Sequence, residues 1–209
     1  MAGPGRFISF EGIDGSGKST QARLLADALR AAGHSVTLTR EPGGSLGAEE
    51  IRRLVLEGDA DRWSSETELL LFTAARRDHL EKTIRPALAR GDVVITDRFA
   101  DSTRIYQGLT RSDLAATVNR LHDLIIGVDP DLTFLINIDA EQGLSRAVAR
   151  AGSELRFEGM GLDLQSKARQ GFLALAAAHP DRFRIVPGAG SAQSVAATVL
   201  ALALTPLAI

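Results

Sequence analysis

Residues 12–19 read Gly12-Ile13-Asp14-Gly15-Ser16-Gly17-Lys18-Ser19, a full match to the pattern G-x-x-x-x-G-K-[S/T]. An apolar run of strand length, residues 6–11, comes directly before it, and leucines and alanines at helical spacing follow it as far as Gly33. In a strand, glycine loop and helix of this kind, backbone N–H groups and the positive end of the helix point at the same phosphate oxygens. The stretch therefore predicts a phosphate-binding loop, or P-loop, for a nucleoside triphosphate.

The lysine and the hydroxyl at the end of this loop have separate expected tasks. Lys18 would reach the β- and γ-phosphates, and the Ser19 hydroxyl would ligate Mg²⁺. A chance glycine turn is the alternative, which the Lys-Ser pair and its flanking elements disfavour. The residues predicted to bind the triphosphate are Gly12, Ile13, Asp14, Gly15, Ser16, Gly17, Lys18, Ser19 and Thr20.

Length and composition limit the class of protein. The 209 residues are the size of one α/β domain, so we expect a single domain over residues 1–209. The net charge of −2 provides no basic field for nucleic acid, and the absence of cysteine excludes disulfides and thiolate catalysis. The chain starts without an apolar signal core, and its longest apolar stretch, residues 195–209, is too short to span a bilayer. We therefore expect a cytoplasmic protein with no nucleic-acid or membrane partner.

Five strand-like runs, residues 6–10, 35–39, 92–96, 132–138 and 183–186, alternate with helical stretches. A capping-box pattern at residues 65–68 predicts a helix that Pro86 interrupts and that ends at Gly91. Further helices are predicted over residues 112–126, after a cap at Asp139, and over residues 195–205. This alternation predicts an α/β fold, a doubly wound five-stranded parallel sheet with helices on both faces.

Charged residues collect at the predicted carboxyl ends of the strands, where sheets of this kind bind ligands. Glu11 ends the first strand, Arg40 and Glu41 end the second, and Asp97 and Arg98 end the third. Because surface loops are generally polar, each of these residues taken singly could be an ordinary loop residue with no role in binding. As a set, arginines that this topology brings together suit a second phosphate group: Arg40, Arg52, Arg76 and Arg98.

Four motifs follow one another along residues 10–108. They are Phe10-Glu11-Gly12-Ile13-Asp14-Gly15-Ser16-Gly17-Lys18, Thr39-Arg40-Glu41-Pro42-Gly43-Gly44, Asp97-Arg98-Phe99 and Ser102-Thr103-Arg104-Ile105-Tyr106-Gln107-Gly108. In this order the motifs resemble the bacterial thymidylate kinases, and the resemblance covers roughly residues 6–190. It implies a P-loop kinase fold with a small lid at about residues 141–161. It also implies a homodimer that transfers the γ-phosphoryl group of Mg·ATP to dTMP, giving dTDP and ADP.

The same resemblance implies contacts with the base and the sugar of dTMP. Phe72 would stack on thymine, although a core position is the alternative that the residue type alone favours. Arg76 would hydrogen-bond the O4 edge, and Thr103 and Gln107 would add polar contacts around the base. Tyr106 would lie against the deoxyribose and exclude a 2′-hydroxyl.

Other expected contacts involve the acceptor phosphate and the metal. Arg40, Arg52 and Arg98 would hold the acceptor phosphate, while Asp14 would lie near Mg²⁺ and the 3′-hydroxyl. Asp97 would hold the water shell of the metal, with capping of the following turn as its alternative role. The predicted metal site is thus Ser19, Asp14 and Asp97. The predicted substrate-binding residues are Arg40, Glu41, Arg52, Phe72, Arg76, Arg98, Ser102, Thr103, Tyr106 and Gln107.

The predicted chemistry needs positive charge more than a base. A phosphate monoester has a second pKa of about 6 and is largely a dianion at neutral pH, so no histidine is assigned a catalytic role. The P-loop lacks an arginine, so the lid would supply one from Arg150 or Arg156, with Leu155 standing where relatives commonly carry aspartate. Arg146 is predicted to contact ATP. The alternative for Arg146 and Arg150, which lie four residues apart, is that they form a solvent-exposed helix face. The predicted catalytic residues are Lys18, Asp14, Arg98, Arg150 and Arg156.

The sequence leaves two alternative functions. A P-loop kinase that acts on a deoxynucleoside would need a base for the hydroxyl proton, and Glu11 is the obvious candidate. A nucleotide-dependent switch or motor ATPase is disfavoured, because the chain has no Asn-Lys-x-Asp segment and carries Asp97-Arg98 where a motor would usually carry Asp-Glu.

Overall fold

The computed structural model describes residues 5–59, 61–109, 114–149 and 161–207. Its five strands form one sheet in the order β2-β3-β1-β4-β5, and every pairing is parallel. The strands are β1 Arg6–Glu11, β2 Val36–Arg40, β3 Val93–Asp97, β4 Leu132–Asn137 and β5 Phe183–Pro187. The predicted fold class is confirmed, and the strand ends differ from the expected ones by a residue at most.

The helices connect successive strands and cover the sheet. They are α1 Lys18–Ala31, α2 Leu46–Leu56, α3 Ser65–His79, α4 Arg85–Ala89, α5 Ala100–Thr103, α6 Ala115–Leu121, α7 Ala140–Ala149, α8 Gly161–Ala178 and α9 Ala192–Leu207. Short π-helical segments follow three of them, at Leu80–Ile84, Arg104–Leu109 and His122–Ile126. No helix in the described part of the chain is long and apolar enough to cross a membrane.

The central strand β1 is buried on both faces. Phe7 packs on one side, where its ring lies 4.9 Å from that of Phe99 in an edge-to-face arrangement. Ile8 and Phe10 face the opposite side and pack against α1 and α9 through residues such as Leu25. Because helices cover both faces, the strand reads as a continuous apolar run and not as an alternating one.

The start of α3 differs from the prediction. Ser64, not Ser65, is the N-cap, and its Oγ accepts a hydrogen bond from the Thr67 backbone N–H at 3.1 Å. Glu68 therefore does not reach back to the cap. It lies one residue further into the helix than the capping box requires and is fully buried.

Other helix boundaries also depart from the sequence pattern. The regular helix α3 ends at His79 and not at Pro86, because a π-helical segment of 5 residues intervenes and the chain then continues as α4. The helix expected over residues 112–126 is described from Ala115, turns π-helical at His122, and ends at Gly127 as predicted, with φ of 62°. The last helix begins at Ala192, since the Ser191 side chain caps it, and runs through Pro206 to Leu207.

The parallel register aligns the carboxyl ends of the central strands. Phe10 of β1 and Arg40 of β2 both pair with Asp97 of β3. Glu11, Glu41 and the segment after Asp97 therefore meet at one edge of the sheet, as predicted.

Candidate active site

Glycines shape the loop between β1 and α1. Gly12, Gly15 and Gly17 have φ angles of 138°, 74° and 100°, a region that other residues rarely adopt. Gly15 also approaches Gly143 of α7 so closely that a Cβ atom on either residue would overlap a main-chain oxygen of the other segment. The P-loop and α7 are therefore in direct backbone contact.

The P-loop lysine is ordered against the loop itself. Lys18 Nζ donates a hydrogen bond to the Ile13 carbonyl oxygen at 2.8 Å, and the residue is 6% exposed. Burial, helped by the nearby Arg98 charge, lowers the pKa of Lys18 to about 8 despite the opposing Asp14 carboxylate. The ammonium group is thus held in the loop and is poorly hydrated, which strengthens its attraction for a phosphate oxygen.

Ser19 and Asp97 form a pair suited to a divalent cation. Ser19 Oγ donates to Asp97 Oδ2, whereas Asp97 Oδ1 is buried without a hydrogen-bond partner among the described residues. Mg²⁺ prefers such hard oxygen ligands and usually keeps several waters beside one or two carboxylates. Within the described ranges, no group of three or more histidine, cysteine, aspartate or glutamate side chains is placed to hold a metal. The Ser19 hydroxyl and the free Asp97 oxygen fit an ion that shares its other positions with water and phosphate oxygens.

Arg98 follows β3 in a conformation that is uncommon for a residue with a side chain, with φ of 70°. Its Nη1 donates to Ser102 Oγ at 2.8 Å and to the Gly12 carbonyl at 3.3 Å, and its Nη2 donates to the Asp14 carboxylate. Burial opposes the charge of Arg98, but the Asp14 carboxylate, together with Tyr106, Asp97 and Glu11, outweighs it and raises the arginine pKa. Arg98 therefore remains a fixed cation between the P-loop and α5.

Asp14 is held from a second side by Gln165 of α8. Gln165 Oε1 accepts from the Asp14 backbone N–H at 3.3 Å, and its Nε2 donates to Asp14 Oδ2 at 3.2 Å. Burial alone would raise the pKa of Asp14, but the charges of Arg98 and Lys18 and the hydrogen bonds from Gln165 and Arg98 together outweigh it, so that pKa is lowered. Sequence reasoning missed Gln165, and the only available signal was a polar residue on the apolar face that also carries Ala168.

Glu11 is buried behind this cluster and not in the open site. Its carboxylate accepts hydrogen bonds from the Phe99 N–H at 2.8 Å, the Ser102 N–H at 3.3 Å and Ser102 Oγ at 2.6 Å. Burial, with a further contribution from Asp101, raises the pKa of Glu11 to about 7. Glu11 does not line the cavity that opens at this edge of the sheet beside Asp14. This placement argues against the deoxynucleoside kinase alternative, in which Glu11 takes a proton from a sugar hydroxyl.

A cavity opens beside Asp14 at the carboxyl edge of the sheet. Every predicted substrate-binding residue except Arg40 lines it, together with Asp14, Pro42, Leu56 and Phe99. Phe72 is half-buried on the cavity wall and does not belong to the described core clusters, so the core alternative is not observed for it. The lining residues that the sequence predicted are Glu41, Arg52, Phe72, Arg76, Arg98, Ser102, Thr103, Tyr106 and Gln107.

Arg76 is fixed on this wall by a chain of buried hydrogen bonds. Its Nε donates to Glu41 Oε2 at 2.7 Å and its Nη2 donates to Thr103 Oγ1 at 2.9 Å. His79, fully buried, bridges Glu41 Oε1 at 3.0 Å and Thr39 Oγ1 at 2.7 Å. Burial would raise the pKa of Glu41, but Arg76 and His79 outweigh it and lower that pKa. His79 is thus a supporting residue that sequence reasoning left without a role.

The arginines expected at the acceptor phosphate are placed differently from one another. Arg52 and Arg98 line the cavity, and Arg52 Nη1 donates to the Pro42 carbonyl at 2.5 Å. Arg40 lies outside it, because its Nη2 is held by the Glu49 carboxylate of α2 at 3.1 and 3.2 Å. The Gly44 N–H also donates to Glu49, at 3.0 Å, which stabilises that carboxylate in place.

Of the three arginines predicted to act in the lid, the structure describes Arg146. Its Nη1 donates to the Gly188 carbonyl at 3.3 Å, in the segment between β5 and α9. The P-loop helix contacts the start of α9, directly after this segment, since Gln21 Nε2 donates to the Ala192 carbonyl at 3.0 Å. Arg150 and Arg156 lie outside the described residues.

A parallel sheet with a P-loop after its first strand and a polar cavity at the same edge defines a P-loop nucleotide kinase. The family model for thymidylate kinase matches residues 10–199 of this chain. The thymidylate kinase of Ruegeria pomeroyi is 68% identical over 207 residues, covering 99% of this chain and 98% of that protein. The thymidylate kinase of Dinoroseobacter shibae is 64% identical over 201 residues, covering 96% of this chain and 97% of that protein.

A solved structure leads to the same family. The crystal structure of thymidylate kinase from Ehrlichia chaffeensis is 36% identical to this chain, with a TM-score of 0.77 and coverage of 96% of this chain and 99% of that one. The chain therefore belongs to the thymidylate kinase family, and it is a phosphotransferase.

Proposed function

We propose that the P-loop and the cavity beside it carry out the reaction of this family, transfer of the γ-phosphoryl group of ATP to dTMP to give dTDP and ADP. The observation that carries the assignment of roles is the cavity itself. It has cationic side chains, Arg52 and Arg98, on one part of its wall and an aromatic and amide surface, Phe72 and Gln107, on another. A nucleoside monophosphate has the same two chemical parts.

On the donor side, the P-loop N–H groups and Lys18 would hold the triphosphate. Ser19 and Asp97 would hold the divalent cation, which we propose to be Mg²⁺, because Asp97 keeps a buried oxygen without a partner among the described residues. When bound, such an ion neutralises charge on the phosphate oxygens. Lys18 and Arg98 add fixed positive charge on the protein side.

On the acceptor side, the phosphate of dTMP needs orientation and not deprotonation. Its second pKa of about 6 leaves it largely dianionic at neutral pH. Arg52 and Arg98 would hold that dianion in line with the donor, and Asp14 would keep Arg98 in position through their ion pair. The burial of Glu11 is consistent with a reaction that requires no base.

The base and sugar would occupy the other part of the cavity. Phe72 would stack on thymine, and Arg76, held by Glu41, would donate to the O4 oxygen. Tyr106 would contact the deoxyribose, where its bulk disfavours a 2′-hydroxyl. Arg150 or Arg156 would supply the additional positive charge at the transferring group that a P-loop without arginine lacks.

A stoichiometric assay tests this function. ATP and dTMP should yield equal amounts of ADP and dTDP, and a chelator should stop the reaction until Mg²⁺ is restored. Asp97→Asn should raise the Mg²⁺ concentration needed for half-maximal rate about tenfold or more. Asp27→Asn, a change of an exposed aspartate on α1, serves as the matched control and should leave it unchanged. ADP formation without dTDP would contradict the proposed function.

We also propose a homodimer and a cytoplasmic location, where the nucleotide substrates of this family are available. The dimer proposal is supported by exposed leucines on neighbouring helical segments. Leu70 of α3 is 57% exposed and Leu124, after α6, is 79% exposed. Leucines this accessible on adjacent segments favour contact with another surface.

A further inference from the structure

The carboxamide of Gln107 is held in one of its two possible orientations. Its Nε2 donates to Glu68 Oε1 at 3.0 Å, and both residues are buried, Glu68 at 0% exposure and Gln107 at 2%. An ionised carboxylate only accepts hydrogen bonds, so it selects the nitrogen end of the amide. Gln107 Oε1 makes no hydrogen bond to any described residue, and Gln107 lines the cavity. The oxygen is therefore the end that remains available to a ligand.

A free donor belongs to another residue of the same cavity wall, Arg76. Arg76 uses Nε and Nη2 for Glu41, Thr103 and a main-chain carbonyl, while its Nη1 makes no hydrogen bond to the described residues. Thr103, which Arg76 contacts, stands four positions before Gln107 on one helical stretch. The wall of this one cavity thus carries a free donor on Arg76 and a free acceptor on Gln107.

This pair matches the edge of a pyrimidine dione. Thymine and uracil present an N3–H donor next to the O4 acceptor, whereas cytosine presents an N3 acceptor next to an amino donor. The arrangement of Gln107 Oε1 and Arg76 Nη1 complements the first pattern and opposes the second. Reversing the carboxamide would replace the acceptor with a second donor and remove the match to N3–H.

We propose that Glu68 is a positioning residue for base selection, which turns Gln107 so that its oxygen receives the N3–H of the pyrimidine. The inference rests on the proposed assignment of this cavity to the base of dTMP. Glu68, Phe72 and Arg76 succeed one another at intervals of four residues and form one face of α3. That face therefore carries the stacking residue, the donor to O4 and the residue that orients the acceptor.

Glu68→Gln tests the proposal with little change in shape. Two facing amides bond equally well in either direction, so Gln107 would present its oxygen or its nitrogen. We expect the KM for dTMP to rise about tenfold and the kcat/KM ratio of dTMP to dCMP to fall about tenfold or more. The KM for ATP should not change, because the P-loop is untouched. Glu66→Gln, the same change at an exposed position of α3, should alter none of these values.

A reciprocal exchange provides the rescue. In Glu68→Gln/Gln107→Glu, the new amide at position 68 donates to the new carboxylate at position 107, whose second oxygen again faces the base. The dTMP to dCMP ratio should return to within about threefold of the unaltered protein. If the single variant does not fold, as judged by thermal unfolding, the double variant alone decides the matter.

Two results would overturn the inference. One is a folded Glu68→Gln protein with an unaltered dTMP to dCMP ratio, and the other is a folded double variant whose ratio stays low. Absence of dTMP phosphorylation by the unaltered protein is a different outcome, since it would contradict the proposed function itself.

Discussion

Three charged side chains meet at the P-loop: Lys18, Asp14 and Arg98. The Lys18 pKa of about 8 places its deprotonation close to neutral pH in the ligand-free protein. As pH rises through 8, Lys18 loses the charge that we propose attracts the β- and γ-phosphates, so kcat/KM for ATP should decline above that pH. In Lys18→Arg the decline should disappear, because guanidinium remains charged. A flat profile between about pH 7 and pH 9.5 in the unaltered protein would exclude this role for the lysine pKa.

The raised pKa of Glu11 leads to a prediction about the pH dependence of stability. Its folded-state pKa of about 7 lies above the ordinary value of 4.5, so the folded protein binds more protons than the unfolded chain between those values. Stability from this group is therefore present at low pH and is lost as pH rises through 7. Glu11→Gln removes that loss. The difference in free energy of unfolding between the variant and the unaltered protein should therefore shift in favour of the variant by about 1 kcal/mol or more from pH 5 to pH 8. Urea unfolding of both proteins at both pH values measures this difference. If the difference in free energy of unfolding were the same at pH 5 and pH 8, the raised pKa of Glu11 would be contradicted.

The contact between the P-loop and α7 depends on two glycines. A Cβ on Gly143 would lie 2.8 Å from the Asp14 carbonyl oxygen, which is main chain and cannot rotate away. Gly143→Ala should stabilise the protein by about 1 kcal/mol through helix propensity and destabilise it by about 1–3 kcal/mol through steric overlap. The net change in stability should therefore be a loss. We expect a lower melting temperature and a higher KM for ATP, with the exposed Ser145→Ala on the same helix as the unaffected control. A stabilised variant with normal ATP affinity would show that the contact is loose.

Local patterns predicted the elements whose structure depends on neighbouring residues in the sequence. The strand, loop and helix around Lys18 were predictable because glycine spacing and apolar periodicity are local signals. The roles of Gln165, Glu68 and His79 were not predicted, and Glu68 was assigned to a capping box, because each is a buried polar group whose partner lies far away in the sequence. The π-helical segment at Leu80–Ile84 has no sequence period of its own, so the end of α3 was also misplaced.

The assembly of the whole molecule carries one prediction. If the exposed leucines of α3 and the segment after α6 form a dimer interface, Leu124→Asp should convert the dimer to a monomer, because an unpaired charge in an apolar interface is strongly unfavourable. Light scattering after size separation measures the mass. Leu204→Asp, on the distant α9 and also exposed, is the control. A monomeric unaltered protein, or a Leu124→Asp variant of unchanged dimeric mass, would contradict the proposed interface.

The fold places the P-loop and the cavity that we propose for the nucleoside monophosphate at one edge of a single sheet, and substrate selection tests this proposal most directly. We would measure ADP release from Mg·ATP with dTMP, dUMP, dCMP, dGMP, AMP and thymidine offered separately. We expect fast turnover with dTMP, slower turnover with dUMP because a buried methyl group contributes only about 1–3 kcal/mol, and almost none with the others. A preference for thymidine, or ADP release that needs no acceptor, would contradict the assignment of the cavity to a nucleoside monophosphate.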